Sequence, residues 1–157
     1  MLFRSPEARL LIVGQGEEEA NLRSLLQQQL AEHRVHIEHD VDHDRLPPWY
    51  RAMDVMVMPS RYENFSNSVI EAMACGVPIV ASDVGGNSAL EASGGVWLVE
   101  ANAPRALSDR LRAAIANRDE MRARGRRGSE WISGRYSWDA TANRLEEIIR
   151  CHTSVQR

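Results

Sequence analysis

Pro59-Ser60-Arg61-Tyr62-Glu63-Asn64-Phe65-Ser66-Asn67-Ser68-Val69-Ile70-Glu71-Ala72-Met73-Ala74-Cys75-Gly76-Val77-Pro78-Ile79-Val80-Ala81-Ser82 is the stretch on which the reading of this chain turns. The apolar run Asp54-Val55-Met56-Val57-Met58 enters it as a strand and stops at Pro59. Ser66 to Cys75 then reads as a helix ended by Gly76, and Val77 to Ser82 as the next strand, with Pro78 confined to its first residues. Two apolar strands joined through a helix demand parallel pairing, because only a crossover returns the chain to the same sheet in the same direction.

The same unit repeats outward. Arg9 to Val13 reads as a buried strand closed by the turn Gly14-Gln15-Gly16. Glu17 to Leu30 follows as a helix, with Ala20, Leu22, Leu25, Leu26 and Leu30 at helical spacing. Val35 to Ile37 is a short strand, Leu46 to Met53 a short helix opened by prolines, and Val96 to Val99 one more strand after Gly85-Gly86. From Pro104 the chain is mostly helical, with Ala106, Leu107, Leu111, Ala114 and Ile115 forming one stripe and Ala142, Leu145, Ile148 and Ile149 another between Trp138 and Ile149. The pattern predicts an α/β, Rossmann-like three-layer α/β/α sandwich around a mostly parallel sheet. We expect one domain over residues 1–150 and a frayed tail over 151–157. The first strand begins within ten residues of Met1, whereas a nucleotide-binding half-sheet is usually preceded by another strand and helix, so the domain reads as incomplete at its N-terminus.

Composition narrows the function. The chain has 157 residues, 43% hydrophobic and 26% charged, which suits one soluble globular domain. With 19 Lys+Arg against 22 Asp+Glu the net charge is −3, which gives no support to a nucleic-acid binder. The start has no apolar stretch of signal-peptide length, and no later run approaches the roughly 18 residues of a membrane span. Cys75 and Cys151 are too few and too far apart for a disulfide scaffold or a thiolate zinc site, and a reduced, cytoplasmic setting fits them.

Ligands of open parallel sheets bind beyond the carboxyl ends of the strands. Three places qualify: Gly14-Gln15-Gly16, Ser60 to Ser68, and Asp83 to Asn87. Gly14 and Gly16 lack the third glycine of a dinucleotide fingerprint and serve equally as a plain turn. Gly85 and Gly86 permit close backbone approach to phosphate or sugar, or form a tight turn alone. Ser66, Asn67 and Ser68 can cap the following helix, whose free N–H groups would favour a phosphate. Glu71 interrupts the apolar turn Val69, Ile70, Ala72, Met73 and should therefore have a donor partner. Vicinal ribose hydroxyls would suit it; an exposed or capping carboxylate is the plainer alternative.

Glu63, Phe65 and Glu71, with seven residues between the glutamates and the continuation Ala72 to Ser82, closely resemble the signature of retaining glycosyltransferases of family 4. The resemblance extends to Leu11 to Gly16, Asp54 to Ser60, Gly85-Gly86 and Arg135-Tyr136-Ser137-Trp138. It implies the GT-B fold, with this chain as the nucleotide-sugar-binding C-terminal domain lacking its first strand and helix. It further implies that Glu71 accepts hydrogen bonds from donor ribose hydroxyls and that Glu63 is the catalytic carboxylate near the transferred hexose. By the same resemblance the N–H groups around Phe65, Ser66 and Asn67 meet the sugar or diphosphate, Gly14 and Gly16 line the nucleotide side, Gly85 and Gly86 join the site, and the turn before Leu46 approaches the base. No metal or cofactor is implied, and the donor is a UDP-, GDP- or ADP-linked sugar transferred to a glycan or lipid-linked acceptor. The reaction belongs in the cytoplasm or at the inner face of the membrane.

Departures bear on activity. The basic pair that clamps the donor diphosphate in such enzymes would fall before Met1, together with the N-terminal acceptor-binding domain. Ser88 and Ala89 stand where the family commonly has proline and glutamate, and Asn64 where glycine is commonest. The isolated chain is expected to be inactive and to self-associate, as a homodimer, through the edge left by the missing strand. A non-catalytic nucleotide-sugar-binding or interaction module is the alternative, and a nicotinamide-dependent enzyme a more distant one. Elsewhere, His33, His36, His39 and His43 match no zinc spacing. Arg122, Arg124, Arg126 and Arg127 read as a solvated face or as a surface for anionic lipid. Trp97, Trp131 and Trp138 read as core or domain-packing residues rather than stacking platforms, and Cys75 as a packed thiol.

Overall fold

A computed structural model describes residues 8–28 and 32–154. The chain divides into two compact units, one through Trp49 and one from Tyr50.

In the first unit, β1 (Leu10–Val13) and β2 (Val35–Glu38) pair in parallel, with Leu10 opposite Val35 and Val13 opposite Glu38. The crossover between them contains α1 (Glu19–Gln28), which buries Leu26. Gly14 extends the ladder by donating its N–H to the Glu38 carbonyl at 2.9 Å. α2 (Leu46–Arg51) starts in this unit and reaches the second at Tyr50.

The second unit holds β3 (Met56–Met58), β4 (Ile79–Ser82) and β5 (Val96–Val99) in the order β3-β4-β5, all parallel. α3 (Asn67–Ala74) connects β3 to β4, while α4 (Asn87–Leu90) and a 3-10 turn at Glu91–Ser93 connect β4 to β5. All four residues of β4 are buried. Val80 packs with Val99 and with Leu111 of α5 (Pro104–Ala116), while Ile79 and Ala81 are equally buried. Successive strand residues face opposite ways, so β4 is covered on both faces, as a central parallel strand must be.

α6 (Arg118–Ser133) packs along α3 through glycines. A Cβ on Gly125 would lie 2.0 Å from the Gly76 carbonyl oxygen, and one on Gly95 would lie 2.6 Å from the Gly128 Cα. Arg124 and Arg127 do not form a free basic face. The Arg124 guanidinium donates to the Gly94 and Val96 carbonyls at 3.3 and 3.1 Å, pairs with Glu120 at 3.0 Å and stacks 4.5 Å from the Trp97 ring centre. Arg127 donates to Glu120 at 2.9 Å and to the Gly94 carbonyl at 3.4 Å. Held most strongly by the Arg127 hydrogen bond, the Glu120 carboxyl lies below the usual carboxylate range.

α7 (Trp138–Ser154) has the amphipathic spacing expected of it, but its apolar face is open: Leu145, Ile148 and Ile149 are all exposed. Trp138 is 89% exposed and so lies outside this chain's core; Trp97 and Trp131 are half-buried. The spacing of apolar residues defines a face, not what covers it.

Candidate functional site

The loop after β3 is shaped by the turn after β4. Gly85 has φ +51°, and a Cβ there would fall 1.6 Å from the Glu63 carbonyl oxygen. At Gly86 a Cβ would fall 2.3 Å from the Asn64 carbonyl oxygen and 2.5 Å from Phe65 Cδ2. The Gly86 N–H donates to that Asn64 oxygen at 2.8 Å. Two consecutive residues without side chains thus let one loop end rest on the other. The structure brings Glu63, Phe65, Gly85 and Gly86 together through backbone, with Glu63 half-buried.

Phe65 stacks on Tyr136, ring centres 5.3 Å apart, and Tyr136 in turn lies 5.5 Å from Trp131. The late Arg135-Tyr136 segment therefore supports the loop from behind. Ser66 is the N-cap of α3, buried, its Oγ accepting from the Val69 N–H at 3.4 Å. Asn67 opens the helix and is exposed. At the other end Gly76, with φ +81°, stops α3 where a left-handed residue is needed.

Glu71 lies one helical turn beyond Asn67, half-buried between the fully buried Val69, Ala72 and Met73. The donor its position calls for is Tyr50, whose phenol donates to Glu71 Oε2 at 2.8 Å. Tyr50 is only 7% exposed. Burial, reinforced by the carboxylate, pushes its pKa from 10.0 up to about 12, so it remains a proton donor at any physiological pH. Sequence reasoning missed Tyr50, and it singled out Tyr136 only within the Arg135–Trp138 motif, without its contact to Phe65. Tyr50 stands in a helix read only for its prolines, and no local spacing links it to Glu71.

Around the second turn, Ser88 Oγ donates to the Asp83 carboxylate, and the buried Asn87 donates its amide to the Ser82 carbonyl at 3.2 Å. Ser88, a departure from the resemblance, thus fixes the turn by another route. Gly14 and Gly16 belong to the first unit, at the end of β1, with Gly14 at φ +134° and open space around both. His36 pairs with Glu38 at 2.9 Å and stacks on Trp49, and His39 lies 3.4 Å from Glu19. Among the described residues no group of three or more His, Cys, Asp or Glu is placed to hold a metal.

Two shallow cavities lie at the C-terminal end of α3. One, of about 290 Å³, is lined by Arg51, Cys75, Arg126 and Glu130 among others; the second, of about 150 Å³, meets Gly76, Arg118 and Arg122. Neither includes any of the residues expected at the donor site.

Parallel β-α-β units with a loop, a capped helix and a glycine turn gathered at the strand ends define an α/β domain of the kind that holds phosphorylated ligands. The model of the family described as glycosyl transferases group 1 matches residues 2–131, and the chain belongs to that family. It is 38% identical over 148 residues to D-inositol 3-phosphate glycosyltransferase of Xylanimonas cellulosilytica, covering 90% of this chain and 35% of that protein. Sucrose-phosphate synthase from Thermosynechococcus elongatus superposes with a TM-score of 0.87 at 30% identity, over 98% of this chain and 41% of its own. HepE of Anabaena, solved with UDP-glucose, gives 0.85 at 22% identity, over 96% and 43%. The fold is that of the C-terminal domain of GT-B glycosyltransferases. The chain spans about a third of the length of the curated relative, and among its described residues no helix is long and apolar enough to cross a membrane.

Proposed function

We propose that this chain is the donor-binding domain of a retaining, family 4 glycosyltransferase that moves a hexose from a nucleotide-sugar to a glycan or lipid-linked acceptor. The observation that carries the reading is the seating of the Glu63–Phe65 loop on Gly85 and Gly86, at the head of the helix in which Tyr50 holds Glu71. In this reading Glu71 accepts the donor ribose hydroxyls. An ionised carboxylate has about four acceptor sites, so it can hold a phenol and a ribose together. Glu63, at the loop crest, faces the transferred hexose and stabilises the positive charge that develops as the glycosidic bond to the diphosphate breaks. The N–H groups at Phe65, Ser66 and Asn67, with the positive end of α3, meet the sugar or diphosphate. Gly14 and Gly16 line the nucleotide side, and Gly85 and Gly86 complete the donor site. Relatives named for glycosyl transfer, and HepE with its bound UDP-glucose, support a nucleotide-sugar donor, with UDP the first to test. The acceptor side belongs to a second domain, and an acceptor carried on lipid would bring the assembly to the inner face of the membrane.

The test is calorimetric titration of the chain with UDP, GDP, ADP and their sugars, beside Glu71→Ala. Selective binding that is lost in the variant supports the reading and names the base. Binding that survives Glu71→Ala unchanged refutes the role of Glu71. The 157-residue chain by itself is expected to show no sugar transfer, and robust turnover by it would refute the division of labour between two domains.

A further inference from the structure

We propose that Tyr50 is a positioning residue for the donor ribose: its phenol fixes the Glu71 carboxylate in the one orientation that discriminates a ribose from a sugar without vicinal hydroxyls. The inference rests on the reading of Glu71 given above and goes beyond it by naming what makes that carboxylate selective.

A glutamate in a helix has three side-chain torsions, and its carboxylate samples several placements unless something holds it. The first constraint is the backbone. Val69, Ala72 and Met73 are fully buried around Glu71, so the helix cannot rotate to re-aim the side chain. The second is Tyr50, which comes from α2, a different element 21 residues away, and meets Oε2 at 2.8 Å. Being buried itself, the phenol cannot follow a wandering carboxylate. The phenol hydrogen is therefore committed to one acceptor, Oε2 of Glu71.

The polarity of this arrangement matters as much as its rigidity. A neutral phenol gives one hydrogen to the carboxylate, and the carboxylate, when ionised, only accepts. Hydroxyls of an incoming ribose must therefore donate to a carboxylate whose plane the phenol has already set. Pre-setting that plane removes part of the ordering cost of binding, and it removes it only for ligands that have hydroxyls to donate. A tyrosine that merely filled space would contribute equally to every ligand.

The experiment measures dissociation constants for whichever of UDP, GDP and ADP binds best and for its 2′,3′-dideoxy form, in the wild-type chain and in Tyr50→Phe. Hydrogen bonds to a charged group predict that the wild-type chain prefers the ribose form by about tenfold or more. In Tyr50→Phe that preference should shrink several-fold, while affinity for the dideoxy form changes little. Equal preference in wild type and Tyr50→Phe overturns the proposal and leaves the ribose reading of Glu71 standing. A wild-type chain that binds neither form, or both equally, overturns that reading and the proposal with it. Should Tyr50→Phe fail to fold, Tyr50→Met carries the test, because it fills the buried position without a hydrogen-bond donor. The same loss of preference is expected there, and an unchanged preference overturns the proposal.

Discussion

Gly86→Ala isolates the contact on which the candidate site depends. Gly86 has φ −68° and ψ −14°, values that alanine adopts freely, so the substitution introduces no backbone strain. Its cost is steric. The new methyl would sit 2.3 Å from the Asn64 carbonyl oxygen and 2.5 Å from Phe65 Cδ2, where ordinary contact needs about 3.4 Å or more. One loop must retreat from the other by roughly 1 Å, which also breaks the 2.8 Å hydrogen bond from the Gly86 N–H to Asn64. Overpacking of this kind costs about 1–3 kcal/mol, and the hydrogen bond adds about 1 kcal/mol. A net loss of about 2–4 kcal/mol lowers Tm by roughly 4–16 °C in a domain of this size. Gly134→Ala is the control, because a Cβ there meets nothing within 4 Å and its φ of −88° suits alanine. Thermal unfolding followed by circular dichroism decides the matter. A Gly86→Ala Tm equal to that of Gly134→Ala would refute the claim that this turn presses on the Glu63–Phe65 loop.

Two further outcomes follow from the packing. Arg124→Ala strips two carbonyls and the Trp97 ring of their cation and should cost about 1–3 kcal/mol in urea unfolding, against about 0.5 kcal/mol or less for the exposed Arg122→Ala; equal effects would mean that Arg124 does not tie α6 to β5. Tyr50 makes stability fall at high pH: with its folded pKa raised, its contribution is complete below the ordinary value of 10.0 and is lost as pH climbs through about 12. Allowing for partial solvation, the loss is about 1–2 kcal/mol, so a denaturant midpoint that declines alike in wild type and Tyr50→Phe above about pH 10 would count against it.

What sequence could disclose here divides along the range of the interactions. β5 begins and ends where the apolar run Val96 to Val99 does, and α3 lies between the cap and glycine that mark it, because strand and helix ends are set by neighbouring residues. α4 escaped because Asn87 to Leu90 is too short for periodicity to register. α6 was legible only as a basic run within a mostly helical stretch, without bounds of its own. Its Gly125 and Gly128 argue against a helix by propensity, and their purpose appears only when the Gly76 and Gly95 backbones lie against them. Likewise the need of Glu71 for a donor follows from its apolar neighbours, but the identity of that donor depends on a tertiary contact that no local pattern encodes. The pairing of Phe65 with Tyr136 is of the same kind.

These long-range contacts have a common object, which is α3. At its head the preceding loop is seated on Gly85 and Gly86, and Ser66 caps the first turn. At its middle Tyr50 grips Glu71. At its foot the Gly76 carbonyl is pressed by Gly125, and the Ser129 hydroxyl donates to the Ala74 carbonyl at 3.3 Å. A helix of eight residues has little stability of its own. Its register relative to β3 and β4 is therefore set from outside, by the turn after β4, by α2 and by α6. A site formed from a loop and the helix that follows needs that helix fixed along its length, since a slide of one residue would carry Glu71 about 1.5 Å along the axis and turn it by roughly 100°. Such a movement would break the Tyr50 contact and turn the fully buried Val69, Ala72 and Met73 out of the core together. The glycines at the two ends and the tyrosine between them thus act on one variable, the position of Glu71 with respect to Glu63.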